Sequence, residues 1–136
     1  MSAQKPLELI LARNLLSSIS TPAFLVGARG TLEFYNEAAG AMLGRRFEER
    51  GRLAAADWTS EFGPFGADDK PIPYEQIPAT VALRQNQPFH GTFRISAPGG
   101  THQDVAASSI PIVGHGGSSG AIVIFWPVTA DEQGEE

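Results

Sequence analysis

The last third of the chain runs as three apolar segments separated only by glycine-rich turns, and this pattern most restricts the available folds. "FHGTFRIS" (Phe89 to Ser96) alternates, with Gly91, Phe93 and Ile95 on one face and His90, Thr92 and Arg94 on the other. After the turn Pro98 to Gly100, "HQDVAASSIPIV" (His102 to Val113) places Val105, Ala107 and Ser109 on one face. Gly114, Gly116, Gly117 and Gly120 mark a second hairpin before "AIVIFWPV" (Ala121 to Val128). Neither turn has room for a crossover helix, so the three strands must be antiparallel.

Upstream, "AFLV" (Ala23 to Val26), the turn "GARG" (Gly27 to Gly30) and "TLEFY" (Thr31 to Tyr35) form another hairpin. Alternation with Glu33 outward puts Leu32 and Phe34 inward. Asn36 stands between this strand and the helical run "EAAGAML" (Glu37 to Leu43). It is an N-cap by its chemistry, since its side-chain oxygen can accept the orphan N–H of Ala38 or Ala39, and Gly44 is the C-terminal stop. Gly44 to Ile72 is broken by glycines and prolines, which predicts short helical turns and loops. Tyr74 to Asn86 is a helix candidate that begins near Ile77, because Pro78 is tolerated only in a first turn.

The first periodic segment, Leu7 to Ile19, is apolar over most of its surface. Leu7, Leu11, Ala12, Leu15, Leu16 and Ile19 share a broad arc, which Leu9 and Ile10 widen. A helix this apolar has two surfaces to cover, its own domain and a second copy of itself. Leu7, Leu11, Leu15 and Ile19 are the dimer-helix positions. The expected fold class is α+β: a five-stranded antiparallel sheet, helices packed on one face, and an N-terminal amphipathic helix. The expected organisation is a dimerisation helix over 1–19, one domain over 20–129, and a disordered acidic tail over 130–136.

At 136 residues and 42% hydrophobic composition the chain suffices for one domain with a filled core. A net charge of −5 argues against nucleic acid as a partner, and Arg45, Arg46, Arg50 and Arg52 alternate with Glu48 and Glu49 as a solvated face does. The absence of cysteine removes disulfides, thiolate nucleophiles and cysteinyl adducts. The longest apolar run, Ala121 to Trp126, is far below the roughly 20 residues of a membrane span, and no signal pattern is present, so the expected location is the cytoplasm without a membrane partner.

Candidate chemistry is sparse. Gly116-Gly117-Ser118-Ser119-Gly120 fits the nucleophile-elbow pattern and His115 adjoins it, but a strand follows where the mechanism needs a helix. His102 and Asp104 share a face and could supply two metal ligands; no third is apparent, so no metal site and no catalytic residue are assigned. What remains is the core. Phe34, Met42, Leu43, Ile77, Val81, Phe93, Ile95, Ile122, Ile124 and Trp126 are read as inward. They face a strand of small residues, Ala106 to Ser109, in which Val105 and Ala107 point the same way. Small against large either interlocks fully or leaves an apolar cavity.

The order of these elements resembles a PAS domain, a sensory module of bacterial signalling proteins. "AFLVGARGTLEFYNEAAGAML" is similar to the family's opening, "DDKPIPYEQIPATVALRQNQPF" to its Pro-rich lead-in and pocket helix, "PGGTHQDVAASSIPIV" to its third-to-fourth strand hairpin with Pro111, and "GAIVIFWPVT" to its last strand. The resemblance covers about Ile19 to Thr129. It implies signal transduction without enzymatic activity, by a module whose core either suits an apolar or amphipathic ligand such as a fatty acid or stands empty; the homodimer is the expectation from the Leu7 to Ile19 helix. No cofactor is identifiable. Cysteinyl flavin lacks its Cys, and haem lacks the His that the resemblance implies on Tyr74 to Asn86. A citrate-type pocket would need Arg84 or Arg94 inside, and Arg94 faces outward. Pro127 replaces the family's junction Asp, which leaves the route to an effector open. The chain is either a stand-alone domain or the sensory part of a longer kinase, phosphatase or cyclase. Two alternatives stand beside this reading: a small α+β enzyme on an apolar substrate, with Asp57 or Tyr74 as its ionisable group, and a structural dimerisation domain with a filled core.

Overall fold

The computed structural model describes residues 7–66, 68–97, 99–114 and 117–128. The acidic tail, Thr129, His115, Gly116 and Pro98 lie outside the described residues, as do the first six of the N-terminal segment. The elements are α1 (Leu7–Ser17), β1 (Ala23–Gly27), β2 (Leu32–Tyr35), α2 (Glu37–Leu43), α3 (Phe47–Arg50), α4 (Ala55–Glu61), a 3-10 turn (Tyr74–Gln76), α5 (Pro78–Gln85), β3 (Phe89–Ser96), β4 (His102–Gly114) and β5 (Gly117–Pro127). The strands form one antiparallel sheet in the order β2-β1-β5-β4-β3.

Local chemistry explains the element ends. Gly44 caps α2 in the left-handed region (φ 82°), donating its N–H to Gly40 O at 2.8 Å. Pro78 occupies the first turn of α5, where its missing N–H costs nothing, and Asn86 closes that helix with its N–H on Ala82 O. β4 and β5 meet through Gly114 and Gly117, so a strand runs through Ser118 and the elbow geometry is not formed.

The sheet has two covered faces, and pairing decides which residue belongs to which. Phe24 pairs with Tyr35 and Val123, while Leu25 pairs with Phe34 and Ile122. The first set faces α4 and α5; the second faces α1. Leu9, Ala12 and Leu16 are the buried residues of α1. Leu9 sits over Gly120, where a Cβ would collide with Val26 O, so glycine lets the helix and strands approach.

Three expectations need correction. A bulge between Leu25 and Val26 breaks the alternation of β2. Leu32 therefore faces as Val26 does, while Phe34 turns to α1, where the Arg13 guanidinium lies 4.5 Å from its ring centre. Glu33 is buried beneath α1, not outward, and pairs with Arg52 Nε at 3.0 Å. Third, α1 ends at Ser17, and Ile19 packs half-buried on the core, apart from the exposed stripe.

Candidate functional site

β4 supplies the floor of the site. Ser109 pairs with Val123, Ala107 with Phe125 and with Gly91, and Val105 with Phe93, so these small side chains share the face opposite α1. Large groups cannot close over so shallow a floor, and a cavity of about 30 Å³ remains. At roughly 10–15 Å³ for each water-sized group, that is room for about two. An acyl chain enters only if the walls spread.

The walls come from four directions. Phe24, Val123 and Phe125 rise from the central strands, and Phe93 and Ile95 from β3. Trp58 of α4 and Phe62 just beyond it close one side, and Ile77 to Ala79 at the start of α5 close another. Phe24 is the hub of this wall, with ring centres of Tyr35, Trp58, Phe62 and Phe125 at 5.7, 6.3, 6.2 and 5.1 Å. Trp58 donates its indole N–H to Gly30 O at 2.8 Å, which ties α4 to the β1–β2 turn and turns its polar atom away from the cavity. None of the described lining residues is charged.

Of the pocket residues expected from sequence, the structure brings Ile77, Phe93 and Ile95 to the cavity. Val105 and Ala107 are buried on the same face without lining it. Met42, Leu43 and Val81 are half-buried elsewhere, the first two against the core from α2. Phe34, Ile122, Ile124 and Trp126 must be corrected, because register places them on the α1 face, where Trp126 is 42% exposed. The reason is that β5 is apolar on both faces, helices lying on each side, so alternation carries no sign. Missed were Phe24, Trp58, Phe62, Val123 and Phe125, while Ser109 shares the expected face of Val105 and Ala107. Phe125 follows from parity once the β4–β5 register is known.

The groups that suggested chemistry sit elsewhere. His102 Nδ1 contacts Asp69 Oδ1 at 2.9 Å, while Asp104 Oδ1 accepts from Arg94 Nε at 2.8 Å, so both side chains are engaged in an ion-pair network. Asp69 Oδ1 also accepts from Arg94 Nη1 at 2.9 Å, and hydrogen bonds from His102 and then Arg94 hold its carboxyl below the ordinary carboxylate range. His102 stacks on Phe65 with ring centres 4.1 Å apart, pinning Phe65 over β3 and β4. Arg84 lies over the Tyr74 ring, 5.9 Å away, and Asp57 is exposed. Neither of these, nor Tyr74, lines the cavity, so the ionisable group that the enzyme alternative requires there is not among the described lining residues. No group of three His, Asp or Glu that could hold a metal ion occurs among the described residues.

On α1, Leu7, Leu11 and Leu15 are 65%, 57% and 59% exposed, a stripe extended by Ile10. No helix among the described residues is long and apolar enough to cross a membrane.

Asn36 does more than cap α2. Its Oδ1 accepts the N–H groups of Ala39 (3.0 Å) and Ala23 (3.1 Å), and its Nδ2 donates to Leu16 O (3.1 Å) and Thr21 O (2.8 Å). One buried side chain thereby joins the end of α1, the start of β1 and the start of α2.

No protein-family model matches the sequence, and no curated protein matches it either. Solved structures do. The PAS domain of Bordetella pertussis BvgS superposes with a TM-score of 0.61 at 15% identity, over 93% of this chain and 89% of that one. The PAS domain of nitrogen regulation protein NR(II) from Vibrio parahaemolyticus gives 0.61 at 10% identity, over 87% and 98%. A Rhodobacter sphaeroides LOV protein gives 0.68 at 12% identity, over 90% of this chain and 68% of that one. With the strand order, the hairpins and the helical wall over β3 to β5, these likenesses identify the chain as a PAS-fold domain.

Proposed function

We propose that this domain is a sensory and interaction module of bacterial signal transduction. It admits a small apolar ligand between the sheet and the α4–α5 wall and pairs with a second copy through α1. The observation that carries this reading is the uncharged cavity floored by β4, walled by residues of β3, β5 and α5.

Size and signalling are linked here. A cavity of about 30 Å³ is smaller than an organic ligand, so occupancy must displace a wall. Interiors are close-packed and do not stretch, hence a ligand selects an expanded state over the resting one. Val123 and Phe125 line the cavity while Ile122 and Ile124, one residue away on the same strand, face α1. A shift of β5 therefore reaches the helix whose exposed leucines would form the dimer contact.

Toluene provides the test, followed by amide NMR on the folded domain. Shifts are expected at Ile77 to Ala79, on β5 and then on α1. Saturating toluene without a change in those resonances would overturn the ligand reading. For the dimer, the double substitution Leu11→Gln and Leu15→Gln spares Leu9, Ala12 and Leu16 and is expected to halve the mass in sedimentation equilibrium. A wild-type protein that sediments as a monomer at high micromolar concentration would refute the pairing.

A further inference from the structure

Ser109 is fully buried, and its hydroxyl has no hydrogen-bond partner among the described residues. It lines the cavity, where the neighbouring side chains are aromatic or aliphatic. A buried hydroxyl without a partner is unfavourable, because it has surrendered its water and gained nothing in return. Native interiors seldom retain such a group unless something else engages it. A lone water is a poor candidate, since buried waters need two to four polar partners and this lining offers one side-chain hydroxyl. The Trp58 N–H, the obvious second partner, is committed to Gly30 O.

We infer that Ser109 is the recognition residue of the cavity, and that the ligand is a compact uncharged molecule with an apolar body and one hydrogen-bonding group, such as a hydroxyl or carbonyl. The inference rests on the ligand reading above and narrows it. Charge is disfavoured on the same grounds as a second polar group. No charged group lines the cavity among the described residues, so an ionised head group would be stripped of water without compensation. The carboxylate of a fatty acid does not fit beside Ser109, whereas a phenol or a small ketone does. Val123, Phe125 and Phe24 supply the apolar contact, and Ser109 orients the bound molecule.

The test compares phenol with toluene, two molecules of similar shape that differ in one hydroxyl, in the wild type and in Ser109→Ala. Dissociation constants are read by amide NMR titration. Losing one neutral hydrogen bond should raise the phenol-to-toluene ratio of dissociation constants about tenfold in the variant. Toluene itself should bind the variant at least as well as the wild type. A second measurement needs no ligand: Ser109→Ala should keep or raise the urea midpoint, because it deletes an orphaned polar atom. An unchanged ratio with both molecules still binding overturns the role of Ser109 and leaves the apolar ligand reading standing. Binding of neither molecule overturns both. A marked fall in the urea midpoint of Ser109→Ala shows a partner for the hydroxyl in the resting protein and also overturns the inference.

Discussion

Replacing Asn36 with leucine tests whether one side chain organises the entry to this fold. The perturbation removes four hydrogen bonds, three buried and one partly buried, two accepted by Oδ1 from Ala23 and Ala39 and two donated by Nδ2 to Leu16 O and Thr21 O. A helix cap alone is worth about 1 kcal/mol. Four neutral bonds at about 1 kcal/mol each bring the loss to the order of 4 kcal/mol, and the orphaned N–H and C=O groups add to it where water cannot reach them. At a urea m-value of about 2 kcal/mol per molar, the midpoint should fall by about 2 M. Asn36→Ser separates the contributions. Serine keeps a capping oxygen for Ala39 but cannot reach Leu16 and Thr21 as donor, so it should recover about 1 kcal/mol of the loss. Urea unfolding followed by Trp fluorescence, with the m-value held constant, measures all three proteins. A leucine variant that loses only about 1 kcal/mol, or a serine variant with a wild-type midpoint, would refute the reasoning and reduce Asn36 to a simple cap.

The Tyr35 phenol donates to Arg45 O at 2.5 Å and is pushed up to about 12, first by burial and then by the nearby Glu61. Its folded value lies above the ordinary value near 10, so its stabilisation is complete below about pH 10 and lost as the pH rises towards 12. Tyr35→Phe should cost about 1 kcal/mol at neutral pH and flatten the alkaline limb of the stability profile. Asp69 shifts the other way. Its depressed carboxyl holds Arg94 and His102 above the ordinary value of about 4 and releases them only as acid takes the pH through the lower folded value. Asp69→Asn should remove that acid dependence, read from the resonances of Phe65 and His102. Trp58→Phe deletes the bond to Gly30 O and part of the aromatic wall, and should lower stability by about 2 kcal/mol in thermal unfolding while enlarging the cavity.

Much of this molecule is legible in its residues. The cap that Asn36 gives α2, Gly44 behind that helix and Pro78 at the head of α5 each act through local backbone chemistry. They therefore read the same in the sequence and in the fold. The parity of β3 and β4 is legible for a related reason, since one face of each carries polar residues. The site itself was only partly visible. Ile77, Phe93 and Ile95 arrive at the cavity as expected, whereas Ile122, Ile124 and Trp126 belong to the opposite face. A strand covered by helices on both sides is apolar at every position, and no pattern along it tells one face from the other.

By itself the sequence determined the antiparallel hairpins and the ends of α2 and α5, consequences of residues within one turn or one hairpin of each other, together with the amphipathic lead helix and the absence of cysteine chemistry. The tertiary structure decided which face of β5 meets the cavity, that a bulge sends Phe34 and Glu33 beneath α1, and that Ser109 ends as a hydroxyl among aromatic rings. Those outcomes depend on register between distant strands and on which helix covers which face. The free energy that selects them comes from the packed whole, and no single segment contains it.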